Sequence, residues 1–147
     1  MKQLKIWWAS LQPREQRLVS VGGVALVIGA SYATKKLPLD SLQALCAQIP
    51  HPIVLIGGKE EKEEGDALAL VDPSRIVNTC GIYSLHESAL MVAKARVVIS
   101  HDTGMLYIAC AFEKNVIAIW GATSPALQVE PLMPLHSKAQ VFQSIVP

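Results

Sequence analysis

Five short apolar runs recur along the chain, VALVI (24–28), IVLIG (53–57), IVNTC (76–80), VVIS (97–100) and VIAIW (116–120), with helical stretches between them. This alternation is what most limits the fold. Runs of four or five β-branched and aliphatic residues are too short for buried helices and lack the apolar–polar alternation of a half-exposed strand. They read as strands covered on both faces, the condition of a parallel sheet.

The stretches between them carry helix signals. Asp40 is placed to cap a helix carrying LQALCAQI and ending at Pro50, and KEEKEEGDALALV opens a charged helix after Gly58. Ser84 with Glu87 three residues on forms a capping box for a helix through Ala95, and MLYIACAF follows DTG. Strands alternating with helices require right-handed crossovers. The expected fold is therefore α/β, a doubly wound parallel sheet of about five or six strands with an N-terminal helix.

A chain of 147 residues suits one such domain. Its hydrophobic content of 51% fits a sheet buried on both faces, and equally a membrane segment. Thirteen basic against twelve acidic residues leave a formal charge of +1, which gives no electrostatic case for a nucleic-acid partner. Cys46, Cys80 and Cys110 are far apart with no CxxC pair, so they read as buried reduced thiols rather than a disulfide framework or zinc site.

Residues 1–23 read as an N-terminal amphipathic and apolar helical segment, 24–134 as the main domain, and 135–147 as an irregular tail with one short extended piece near AQVFQSIV. The first segment either packs on the domain or lies at a membrane, with Trp7 and Trp8 at the interface and Lys2, Lys5, Arg14 and Arg17 inside. Leu18 to Ala33 is broken by Ser20, Gly22, Gly23, Gly29 and Ser31, and is shorter than the roughly 20 residues of a spanning helix. VALVI within it is favoured as the first strand, because everything downstream needs one.

In a doubly wound sheet, ligands bind in the crevice at the carboxyl ends of the strands. The loops there are GASYATKK, GGKEE, CGIYSLHE, SHDTG and GATSP. Thr103 and Gly104 fall at the first turn of a helix, where backbone N–H groups hold phosphate oxygens, with Lys35 and Lys36 available for charge. The plainer alternative is a capped turn with Asp102 as N-cap. Neither GxGxxG nor GxxxxGK[ST] is present, so no dinucleotide fingerprint or P-loop is supported. His86, His101 and His136 belong to no metal-ligand motif, His51 reads as a surface turn, and no GxSxG elbow marks a nucleophile. No metal site is expected, and the catalytic residues are unknown at this stage.

Several of these pieces together resemble a known family. GASYATKKLP, VLIGGKEE, CGIYSLHESALMVAKARVVIS, DTGMLYIACA and VIAIWGATSP follow the order and spacing of the C-terminal half of heptosyltransferase-type glycosyltransferases (glycosyltransferase family nine), over residues 29–134. The resemblance implies the donor-binding half of a two-domain GT-B enzyme of lipopolysaccharide synthesis, taking a nucleotide-sugar such as ADP-heptose without a metal cofactor. It implies that the backbone of Asp102, Thr103 and Gly104 cradles the donor diphosphate, and that Thr34 and Lys35 lie in a loop contacting phosphate or sugar. Glu60 (or Glu61) falls at the ribose carboxylate, and Gly81 to Leu85, including Ser84, line the base. The family usually reads D-[ST]-G-x-x-H; Tyr107 stands at the histidine position here, keeping a hydrogen-bonding tip and losing the imidazole.

The family's acceptor site and catalytic base lie in an N-terminal domain with no counterpart in these residues. The expectation is donor binding without transfer by the chain alone, pairing with a separate acceptor-domain chain or self-association, and a bacterial cytoplasmic location. Residues 1–28, with WWASLQPREQRLVSVGG, resemble the start of a type II secretion M protein, which implies contact with the cytoplasmic face of the inner membrane and a junction near Val24 to Gly29. The alternative on those grounds is a membrane-anchored scaffold or interaction protein carrying a relic α/β domain.

Overall fold

The computed structural model describes residues 23–121 and 131–145, together with Ala9, Pro13 and Gln16. The helix expected over 1–23 therefore lies almost wholly outside the described residues.

Among the described residues six strands form one parallel sheet: β1 (Val24–Val27), β2 (Ile53–Ile56), β3 (Ile76–Asn78), β4 (Val97–His101), β5 (Asn115–Trp120) and β6 (Val141–Ile145). Their order is β3-β2-β1-β4-β5-β6. The chain winds outward from β1 to β3, returns to β4 beside β1, and winds outward again. β1 pairs with β2 (Leu26 opposite Leu55) on one side and with β4 (Leu26 opposite Ile99) on the other. The extended piece expected in the tail is β6, pairing with β5 from Val116↔Val141 to Trp120↔Ile145.

Four α-helices are described: α1 (Leu39–Gln48), α2 (Lys62–Ala69), α3 (Leu85–Lys94) and α4 (Gly104–Ala111). They cover both faces of the sheet. Ala25, Val27, Val54, Val98 and Ala118 pack with Met91 and Val92 of α3 and Leu106 and Ala109 of α4. The alternate residues Val24, Leu26, Ile53, Leu55 and Ile99 pack with Leu42 and Cys46 of α1 and Leu68 of α2. Each central strand is thus apolar on both sides, and burial of each large aliphatic chain contributes about 1.5–3 kcal/mol. This burial accounts for the apolar strands, and no described helix is long and apolar enough to cross a membrane.

Two expected caps differ. Asp40 sits inside the first turn of α1, whose N-cap is Pro38, and its carboxylate accepts from the Ser41 N–H at 2.8 Å. The proline's fixed φ already starts the helix, leaving Asp40 a local role. At α4 the N-cap is Thr103, not Asp102. By contrast, the Ser84–Glu87 capping box is present at α3.

Candidate functional site

The strand order reverses between β1 and β4, so the loops after these strands flank a crevice at their carboxyl ends. A cleft of about 700 Å³ opens there. Its walls come from the turn after β1 (Gly29, Ala30, Ser31), the loop after β2 (Gly57, Gly58, Glu60, Glu61), the start of α3 (Leu85, Ser88) and the start of α4 (Thr103, Gly104, Met105).

Of the residues singled out from sequence, Glu60, Glu61, Leu85, Thr103 and Gly104 line this cleft. Thr103 has extended backbone, φ −142°, and its hydroxyl makes no capping hydrogen bond to α4. A Cβ built on Gly104 would meet nothing within 4 Å. The first turn of α4 thus has no side-chain cap and open space beside Gly104, an arrangement compatible with an anion at the helix end.

Asp102 and Lys35 stand beside the cleft and are joined to each other, Lys35 Nζ donating to Asp102 Oδ2 at 2.6 Å. Lys35 and Thr34 lie in a 3-10 turn (Ala33–Lys35) between β1 and α1. Lys36 turns away from the cleft's helix end toward α2, 2.6 Å from Glu64 and 3.5 Å from Glu61. Burial acts to lower the Lys36 pKa, but Glu64 and then Glu61 outweigh it and hold it above the usual lysine value. Lys36 is thus committed to a structural pair, and Lys35 is the lysine next to the helix end.

The two carboxylates after β2 have separate roles. Glu61 accepts from the Gly58 N–H at 2.8 Å, which fixes the turn. Glu60 is exposed on the cleft wall. Gly81 and Ser84 do not line the cleft; they shape the segment that leads to Leu85. Gly81 has φ +71° and donates its N–H to the Gly57 carbonyl at 3.1 Å. Ser84 donates both its N–H and its hydroxyl to Glu87, at 2.7 and 2.8 Å.

Tyr107 is 41% exposed on α4. Partial burial raises its pKa first, Asp102 raises it further, and Lys35 opposes both. The tyrosine is therefore an electrostatic neighbour of the Lys35–Asp102 pair. Sequence reasoning missed Ser31, Ser88, Met105 and Ile108 as lining residues, and the contact of His101 with the β1 loop. These are ordinary wall residues with no motif, visible only once the loops are brought together. No group of three or more His, Cys, Asp or Glu side chains suited to a metal ion occurs among the described residues.

Fold and site together define a doubly wound α/β domain with a cleft at its switch point, beside the first turn of α4. The chain matches the family model of glycosyltransferase family 9 (heptosyltransferase) over residues 1–146, and it belongs to that family. It is similar to lipooligosaccharide heptosyltransferase 2 of Haemophilus influenzae, 29% identical over 99 residues, covering 65% of this chain and 28% of the relative. A second, short similarity is to type II secretion system protein M of Aeromonas hydrophila, 56% identical over 32 residues, covering 22% of this chain and 20% of that protein.

Among solved structures, the Escherichia coli ADP-heptose lipopolysaccharide heptosyltransferase II superposes with a TM-score of 0.73 at 20% identity, covering 100% of this chain and 45% of that one. An E. coli heptosyltransferase with ADP-2-deoxy-2-fluoro heptose gives 0.69 at 20% identity, covering 98% and 41%. At such identities the likeness speaks for the fold. The chain spans little over a quarter of the length of the curated heptosyltransferase above.

Proposed function

We propose that the cleft binds the nucleoside diphosphate of a nucleotide-activated sugar, and that this chain is the donor-binding half of a heptosyltransferase-type glycosyltransferase of lipopolysaccharide synthesis. The observation that carries the reading is the α4 end: the Thr103 side chain does not cap the helix, Thr103 and Gly104 line a cleft of about 700 Å³, and Lys35 is held beside them by Asp102. A helix N-terminus with an adjacent ammonium meets the charge and geometry of a diphosphate. Family membership supports the same ligand class, since one fold neighbour is described with ADP and another with an ADP-sugar analogue.

On this reading Asp102, Thr103 and Gly104 surround the diphosphate, Thr34 and Lys35 close over it, and Glu60 accepts from the ribose. Leu85 and the backbone around Gly81 and Ser84 flank the base. Lys35 supplies the positive charge, so binding needs no metal. The roles proposed for these residues are all donor contacts, and on this reading the chain assayed by itself binds donor without transferring sugar. On this reading transfer requires an acceptor domain paired with this one. The reading is tested by a crystal structure soaked with ADP. Phosphates seated at the α4 end support it, whereas ADP absent from the cleft at millimolar concentration opposes it.

A second reading concerns location. The short similarity to the secretion M protein favours tethering of the first residues at the cytoplasmic face of the inner membrane, with the α/β domain in the cytoplasm. Under the alternative, this tether serves a scaffold with no donor site. Membrane fractionation tests the tether and the ADP soak tests the scaffold. A chain recovered wholly in the detergent-free supernatant counts against tethering.

A further inference from the structure

The loop after β1 is held at four points among the described residues. The Thr34 carbonyl lies against Gly121, where a Cβ would sit 2.6 Å from it. Lys35 reaches Asp102 and Lys36 reaches Glu64, each at 2.6 Å. The fourth contact is different in kind: the Leu37 N–H donates to His101 Nε2 at 3.0 Å. The lysine side chains are 22% and 20% exposed, and both are long and flexible. His101 is 0% exposed at the end of β4, and it grips the main chain itself. A ring fixed in the sheet core and bonded to a backbone N–H sets the path of that backbone; a part-buried ion pair between long side chains constrains it less.

We infer that His101 is a positioning residue for the donor site, its Nε2 fixing the main chain at Leu37 and thereby the placement of Thr34 and Lys35. Its effect on donor binding rests on the donor-site reading above; its effect on the loop does not. To accept at Nε2, the ring must be neutral with its proton on Nδ1. Nδ1 has no hydrogen-bond partner among the described residues. The groups that act on the ring are the Val27 backbone of β1, Lys36 of the loop and Glu64 of α2. Burial, the largest influence, keeps it neutral by holding its pKa below the usual value; Lys36 adds to this, while Val27 and Glu64 oppose it. A proton arriving on Nε2 would face the Leu37 N–H, leaving two donors opposed and the loop released.

The test uses the full chain as wild type, His101→Gln, which keeps an acceptor and does not titrate, and His101→Leu, which has neither property. Amide hydrogen exchange at Leu37 is read by NMR from pH 7.5 to 4.5, alongside ADP affinity. Loss of the acceptor lowers Leu37 protection by about tenfold or more, whereas His101→Gln stays within about threefold of wild type at neutral pH, an allowance for its imperfect geometry. Wild-type protection declines as pH falls, and His101→Gln remains flat. ADP affinity follows the same order.

Equal Leu37 protection in wild type and His101→Leu overturns the inference. If His101→Leu does not fold, a wild-type pH profile as flat as that of His101→Gln overturns it instead. Protection that tracks His101 in a wild-type chain with no ADP binding supports the loop anchor and overturns the donor-site reading.

Discussion

Lys35 and Asp102 are 67 residues apart in the chain, and their side chains meet at 2.6 Å, joining the loop after β1 to the turn after β4 across the switch point. The pair holds the ammonium next to the first turn of α4. Lys35→Met is therefore expected to weaken ADP binding by tenfold or more, the worth of about one charge-assisted hydrogen bond. Isothermal titration measures the affinity, and a thermal melt should show a loss of only about 1 kcal/mol, since the pair is partly solvated.

Two glycines separate space for a ligand from space needed by the protein. A Cβ at Gly104 meets nothing within 4 Å, while one at Gly121 would lie 2.6 Å from the Thr34 carbonyl. Gly104→Ala should leave the melting temperature unchanged or slightly raised, because alanine favours the helix, and still weaken ADP. Gly121→Ala should weaken ADP and destabilise by about 1–3 kcal/mol as the loop is displaced. Equal melting losses in the two variants would contradict the assignment.

The capping box at α3 makes a pH-dependent prediction. Hydrogen bonds from the Ser84 backbone N–H and hydroxyl hold the Glu87 carboxyl below its usual pKa. A folded-state pKa below the unfolded one means the folded chain binds fewer protons. The stabilisation is full above about pH 5 and fades as pH falls through the unfolded value near 4.3 and then the lower folded one. Ser84→Ala should cost about 1 kcal/mol at neutral pH. Urea titrations at pH 6 and pH 3 should show the gap between wild type and variant narrowing in acid.

The thiols should be inert in the folded chain. Cys46, Cys80 and Cys110 are 0%, 0% and 2% exposed. Burial raises all three, and for Cys80 burial with the nearby charges of Glu61, Glu64 and Asp66 pushes the thiol up to about 12. Since the thiolate is the reactive form, a disulfide reagent at pH 8 should label none of them until denaturant is added. Rapid labelling of any one under native conditions would contradict this burial.

The sheet was legible because its strands are buried on both faces and so appear as continuous apolar runs. VALVI read as a strand is β1, and the two cores beside it use its alternate residues. The edge strand β6 was harder, since VFQSI mixes exposed Phe142 and Gln143 into the run and resembles a loop. At the site, Thr103 and Gly104 were placed by the strand–turn–helix pattern alone. Asp102 was open to reading as an N-cap because its partner Lys35 is set by topology, which no local pattern records. His101 was passed over for the same reason: a lone histidine gives no sign that it accepts from Leu37, 64 residues away.

The central claim is that the cleft at the α4 end takes a nucleoside diphosphate, and calorimetric titration of the full chain with ADP tests it most directly. The account predicts saturable heat, unchanged by a metal chelator and reduced by Lys35→Met. No heat at millimolar ADP, with the fold intact by circular dichroism, would contradict it.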